Sequence, residues 1–205
     1  NLFRPARPDV GVPAFDEWPE FPYNVVPDAI SLGTNLMQLD LVSTKDKVSV
    51  VASPRVANVE YVTRFALSDR ACKDWEDGWL LPNVARGADG ITRVELRGDF
   101  PRDCVAATQI SVVDRTDYAD GLFRALWTEI GGRFSGKVRE SNTQFAAGAT
   151  VLATHASRAL PEMIHDVLKR SDNPNTRLLF FALSAPRGGA VTALDAAAQP
   201  ANAAA

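Results

Sequence analysis

Apolar and polar residues alternate in LMQLDLV and KVSVVAS, two stretches between Asn35 and Pro54 that flank the turn-like STKDK. A period of two marks a half-buried strand, so the pattern predicts a β-hairpin with Leu36, Leu39 and Leu41 partly buried. GITRVELRGDF repeats the alternation and ATQISVVD supplies a further strand. The period then changes: from Asp117 to about Ile130, Leu122, Phe123, Leu126 and Ile130 recur at helical spacing. Strands therefore outnumber helices before residue 115, and the class is α+β. Arg133 to Thr154 is glycine-spaced and apolar, which suits short strands or a hairpin.

A second helical region follows. Ser157 is placed to cap a helix with Pro161 and Glu162 in its first turn and Met163, Ile164, Val167 and Leu168 on one face, ending near Arg170. A third helix starts at once, with Asp172 or Asn173 as cap, Pro174 at its first position, and Leu178, Leu179, Phe181 and Leu183 as its apolar surface. Ser171 to Asn173 then form a tight corner. At the amino end, Pro5, Pro8, Pro13, Pro19, Pro22 and Pro27 interrupt regular structure, so the first thirty residues read as an extended, wrapping segment. The tail AVTALDAAAQPANAAA reads as a frayed, low-complexity end. There is no internal repeat.

Composition narrows the function classes. Hydrophobic residues make up 46% and charged residues 23% of 205, ordinary values for a chain that buries a core. The formal net charge of −3, with Lys and Arg scattered, leaves no basic footprint for nucleic acid. No apolar run approaches the roughly 18 residues that span a bilayer, and NLFRPARPDVGVP has none of the features of a signal peptide. For a complete protein that would suggest the cytoplasm; for an internal segment it says nothing.

Candidate chemistry centres on Ser171-Asp172-Asn173. Ser-Asp-Asn is one of three short motifs that build the active site of β-lactamases and penicillin-binding proteins, beside S-x-x-K and K-T-G. A rigid corner can present a hydroxyl that relays a proton to a leaving amine and an amide that orients a substrate peptide. The plainer reading is that Asp172 and Asn173 only cap a helix, since these types favour helix starts.

Other features read as structural. Trp75 and Trp79 could form a sugar platform, but such a pair more often packs on a small sheet. Asp74, Glu76 and Asp77 suit a solvated loop better than a cation site. Gly131-Gly132 and Gly188-Gly189 lack nucleotide-loop spacing and read as turns. His155 and His165 stand ten apart, off a common helical face, and far in sequence from Cys72 and Cys104, so they form no metal set.

Taken in order, several segments resemble one family. FDEWPEFPYNVVPDAISLGTNLMQLDLV, CKDWEDGW to LRGDFPRDC, ISVVDRTDYADGLFRALWTEIGGRFSG and VLATHASRALPEMIHDVLKRSDN resemble an ordered series in the D-alanyl-D-alanine carboxypeptidase/endopeptidases, the low-molecular-mass class C penicillin-binding proteins. The resemblance implies a β-rich accessory domain inserted into a β-lactamase/penicillin-binding (serine DD-peptidase) fold, only part of which is present. Residues 1–155 would be the accessory region with one helix near 117–130, 156–190 the helical part of the catalytic domain, and 191–205 the tail.

It further implies a hydrolase acting on peptidoglycan stem peptides of the cell wall through an acyl-enzyme, a target of β-lactam antibiotics, in the bacterial periplasm, with membrane association and a homodimer both left open. By the same resemblance, Ser171 and Asn173 are catalytic and Asp172 supports the corner. No metal or organic cofactor is implied. Cys72 and Cys104 resemble the family's paired-cysteine segment, and a disulfide between them would suit an oxidising compartment; two buried free thiols remain the alternative.

The chain departs from the family where it matters most. No serine has a lysine three positions on, and no lysine precedes Thr-Gly or Ser-Gly. The nucleophile, its base and the carboxylate-binding strand are expected in missing segments of the same enzyme, and the chain alone is expected to be inactive. Pro174 and Thr176 also differ from the residues commonest after the motif. The alternatives are a non-catalytic cell-wall binding or scaffolding module that keeps a relic Ser-Asp-Asn corner, and an unrelated β-rich domain with a chance tripeptide.

Overall fold

The computed structural model describes residues 18–28, 32–139, 150 and 153–184. They fall into two compact units: 18–22 with 32–139, and 23–28 with 150 and 153–184. The secondary structure mixes strands and helices, an α+β chain.

Six strands lie in the first unit: β1 (Met37–Ser43), β2 (Val48–Ser53), β3 (Val59–Ser68), β4 (Trp79–Arg86), β5 (Thr92–Pro101) and β6 (Val105–Ile110). In one sheet β1 is central and antiparallel to both β2 and β6, with Leu41 opposite Val50 on one side and Ala106 on the other. The alternation of β1 has a simple physical basis. Met37, Leu39 and Leu41 are buried while Asp40 and Val42 face solvent, as a pleat with one covered face requires. Leu36 precedes the strand and is half-buried, outside this inward row.

The second sheet has the order β3-β5-β4. β5 runs parallel to β3 and antiparallel to β4, and sends Val94, Leu96 and Phe100 into the core. Gly98 interrupts this row at φ +117, and a Cβ there would overlap the Gly78 carbonyl, so close backbone approach demands glycine. A 3-10 segment, Cys72–Gly78, connects β3 to β4. Within it Trp75 is buried, meeting buried Trp79 edge-on at 5.8 Å and Phe100 at 6.0 Å. Trp75 and Trp79 are core and form no exposed platform.

Cys72 and Cys104 form a disulfide, 5.3 Å between Cα atoms and 32 residues apart. It ties the 3-10 segment that leads into β4 to the residue just before β6. The buried Ser43 hydroxyl sits at the same seam, donating to the Pro101 carbonyl (2.5 Å) and accepting from the Cys104 N–H (2.9 Å).

Helix α1 (Arg115–Glu129) begins at Asp114, whose carboxylate accepts from the N–H groups of Thr116 (2.8 Å) and Asp117 (3.4 Å). It packs through Tyr118, Gly121 and Leu122. The Tyr118 hydroxyl donates to the Leu36 carbonyl (3.2 Å), and the Gly121 carbonyl accepts from Ala57 N–H (2.9 Å). The helix forms where the spacing placed it, but of the apolar row Phe123, Leu126 and Ile130 are exposed. Helical spacing marks a face, but Tyr118 and Gly121 decided which face docks. After α1, residues 133–139 form no strand; 140–149 and most of the expected hairpin lie outside the described residues, as do the first seventeen residues and 185–205, with Gly188, Gly189 and the tail.

The second unit contains α2 (Leu160–Lys169) and α3 (Asn173–Ser184). Ala159, not Ser157, occupies the N-cap position of α2, with no side-chain cap; Ser157 Oγ lies 3.5 Å from Met163 Sδ instead. Pro161 stands in the first turn, where a missing N–H removes no helical bond.

Candidate functional site at the Ser171–Asn173 corner

Two local devices build the corner. The first ends α2. Arg170 is its C-cap, Ser171 follows in the left-handed region at φ 51, and the N–H of Asp172 reaches back to the Val167 carbonyl (3.0 Å) while that of Ser171 reaches Leu168 (3.4 Å). These paired bonds are a Schellman motif, whose left-handed position normally holds glycine. A residue with a Cβ there costs about 1 to 2 kcal/mol relative to right-handed backbone. Ser171 therefore sits where local energetics favour another residue.

The second device starts α3. The Asp172 carbonyl accepts from both the N–H (3.0 Å) and the hydroxyl (2.8 Å) of Thr176. Its carboxylate is held by Asn175, whose N–H donates to Oδ1 (3.0 Å) and whose side-chain amide donates to Oδ2 (2.8 Å). Asp172 is thus the N-cap, Asn173 is the first residue of α3, and Pro174 is the second. A carboxylate at a helix N-terminus also interacts favourably with the macrodipole.

All of Asp172's polar groups are consequently engaged within residues 167–176. Its neighbours differ: Ser171 and Asn173 are exposed, and neither side chain makes a hydrogen bond among the described residues. Asp172 is structural here, whereas the side chains two residues apart on either side of it face solvent. Asn175 is the participant that sequence reading missed. Its signal was present, a side chain able to bond back to an N-cap Asp three residues before it, here by donating to the carboxylate rather than accepting from the N-cap N–H as in a capping box.

On α2, Asp166 accepts from the Arg158 guanidinium (2.7 Å), and this bond, with a smaller contribution from His165, holds its carboxyl below the usual carboxylate range. Both histidines are exposed. Asp77 and Asp74 pair with Arg70 (3.5 Å) and Lys73 (3.8 Å). Among the described residues, no three His, Cys, Asp or Glu side chains converge as metal ligands, and no helix is long and apolar enough to cross a membrane.

The corner between the two helices of this α+β chain thus carries the tripeptide sequence Ser-Asp-Asn, with its Asp braced by Asn175. Residues 16–200 match the model of the D-Ala-D-Ala carboxypeptidase 3 (S13) family, and the chain belongs to that family. No curated protein sequence matches it.

Among solved structures, the chain is similar to penicillin binding protein 4 from Haemophilus influenzae, with a TM-score of 0.56 and 20% identity over 80% of this chain and 35% of that one. The chain therefore spans about a third of that protein's length. A second structure of the same protein, complexed with a β-lactam, matches with a TM-score of 0.46 and 19% identity over 71% of this chain and 32% of that one.

Proposed function

We propose that this chain is a segment of a serine-type D-Ala-D-Ala carboxypeptidase/endopeptidase that cleaves peptidoglycan stem peptides through an acyl-enzyme and is acylated by β-lactams. The observation that carries this reading is Ser171: a serine at a glycine-favouring position, its hydroxyl without a hydrogen bond among the described residues, inside a family match from 16 to 200. Backbone held in a disfavoured region argues for a use of the side chain placed there.

In the parent enzyme a serine upstream attacks the D-Ala carbonyl and a nearby lysine takes its proton. Ser171 helps pass that proton to the departing amine, and Asn173 holds the peptide backbone. Asp172 does no chemistry and braces the pair. The oxyanion donors and the strand that receives the substrate carboxylate lie in the missing segments. On this reading the strands form an accessory domain inserted into the catalytic fold, α2 and α3 belong to that fold, and the enzyme works in the periplasm. Leu168 and Leu183 are 71% and 84% exposed, an apolar surface that suits cover by further parts of the catalytic domain.

The test is the intact mass of the purified protein before and after exposure to a penicillin. A mass well above 22.2 kDa that gains one penicillin supports the reading. A mass equal to this chain with no adduct favours the non-catalytic cell-wall module, which the absence of S-x-x-K and K-T-G also fits.

A further inference from the structure

We infer that Asn175 is a positioning residue for Ser171 and Asn173, acting through Asp172; the inference rests on the function proposed above. Asp172 joins Ser171 to Asn173 in the chain, so the placement of its backbone carries both neighbours with it. Its backbone is pinned by Val167 and Thr176, but its carboxylate is pinned by Asn175 alone among the described residues, once through the N–H and once through the side-chain amide. Two donors on two oxygens leave the carboxylate a single orientation, as one bond would not.

The need for such a clamp comes from Ser171. Its left-handed backbone is disfavoured and persists only where surrounding bonds over-determine it. Replacing the Asn175 amide releases Oδ2 and lets the corner sample conformations in which the Ser171 hydroxyl and the Asn173 amide no longer address one substrate together. The expected signature is a loss in the chemical step with substrate saturation little changed, because misplacement of a proton-relaying group weakens the transition state more than the ground state.

The experiment follows acylation of the parent enzyme by a fluorescent penicillin, resolved into saturation constant and acylation rate, for wild type, Asn175→Ala and Asn175→Asp, with folding checked by circular dichroism. Asn175→Ala is expected to slow acylation about tenfold, the scale of one charge-assisted hydrogen bond. Asn175→Asp sets two carboxyl groups against each other where the amide now donates at 2.8 Å. Its acylation should be slowest at neutral pH and recover relative to wild type as pH falls, when the pair shares a proton and an O–H replaces the lost N–H.

Failure to acylate wild type would sink the functional reading and this inference with it. If wild type is acylated but both variants match it within about twofold, or lose rate only in proportion to their unfolded fraction with no recovery at low pH, the functional reading stands and the positioning role is overturned.

Discussion

Ser171 and Gly131 occupy the same position of the same helix-ending motif. Gly131, at φ 84, follows the C-cap Ile130 of α1, with N–H bonds from Gly131 to Thr128 (2.9 Å) and Gly132 to Trp127 (2.8 Å) that mirror those at the end of α2. One motif uses the residue that local energetics favour, and the other does not. Substituting each should therefore move stability in opposite directions. Ser171→Gly is expected to leave the unfolding free energy unchanged or raise it by up to about 1 kcal/mol, while lowering acylation in the parent enzyme. Gly131→Ala should cost about 1 to 2 kcal/mol. Urea titrations of both variants check the pair; a Ser171→Gly variant that is clearly less stable would contradict the strain argument.

The Cys72–Cys104 link spans a sequence separation of 32 that encloses β4 and β5. Chain entropy alone assigns such a cross-link about 3 to 4 kcal/mol. Urea unfolding with and without a phosphine reductant should show a loss of that order, and Cys72→Ala with Cys104→Ala should reproduce it. Equal midpoints under both conditions would mean that the packing at Ser43 holds the seam by itself.

Trp79 donates its indole N–H to Glu20 Oε1 at 2.8 Å, and Glu20 is 1% exposed. Trp79→Phe keeps an aromatic ring but strips a buried carboxylate of that donor. The expected cost is about 2 to 4 kcal/mol, more than the loss of ring area explains. Combining it with Glu20→Leu should recover part of the loss. A double variant no more stable than Trp79→Phe would refute the coupling.

Asp120 is buried on α1, where the Arg124 guanidinium bonds both its oxygens and, with a smaller contribution from the Val138 N–H, holds its carboxyl below the usual range. A depressed carboxylate contributes stability that is fully present above its unfolded value, about 3.9, and is lost as pH falls through the lower folded value. The wild-type urea midpoint should therefore fall below about pH 4. Asp120→Asn should be less stable at neutral pH and show a flatter acid limb. Parallel profiles for the two proteins would exclude Asp120 as a source of the acid dependence.

Several parts of this protein were determined locally and are legible in the chain. The inward row of β1 follows from its alternation, the stop of α2 near Arg170 from its pattern and the corner after it. Asp172 was one of two named caps, because a cap needs only bonds to residues three and four positions on. The Ser-Asp-Asn corner was visible for the same reason.

Tertiary structure decided what depends on distant partners. Trp75 and Trp79 became core because Phe65, Phe100 and Glu20 meet them from other elements. Phe123, Leu126 and Ile130 stayed exposed because α1 docks through Tyr118 and Gly121 on Leu36 and Ala57. Ala159 replaced Ser157 at the start of α2, and the parallel pairing of β3 with β5 has no local signal. A periodicity states that a face is apolar. Which face is buried is settled by the surface it meets, and that surface is supplied by residues far away in the chain.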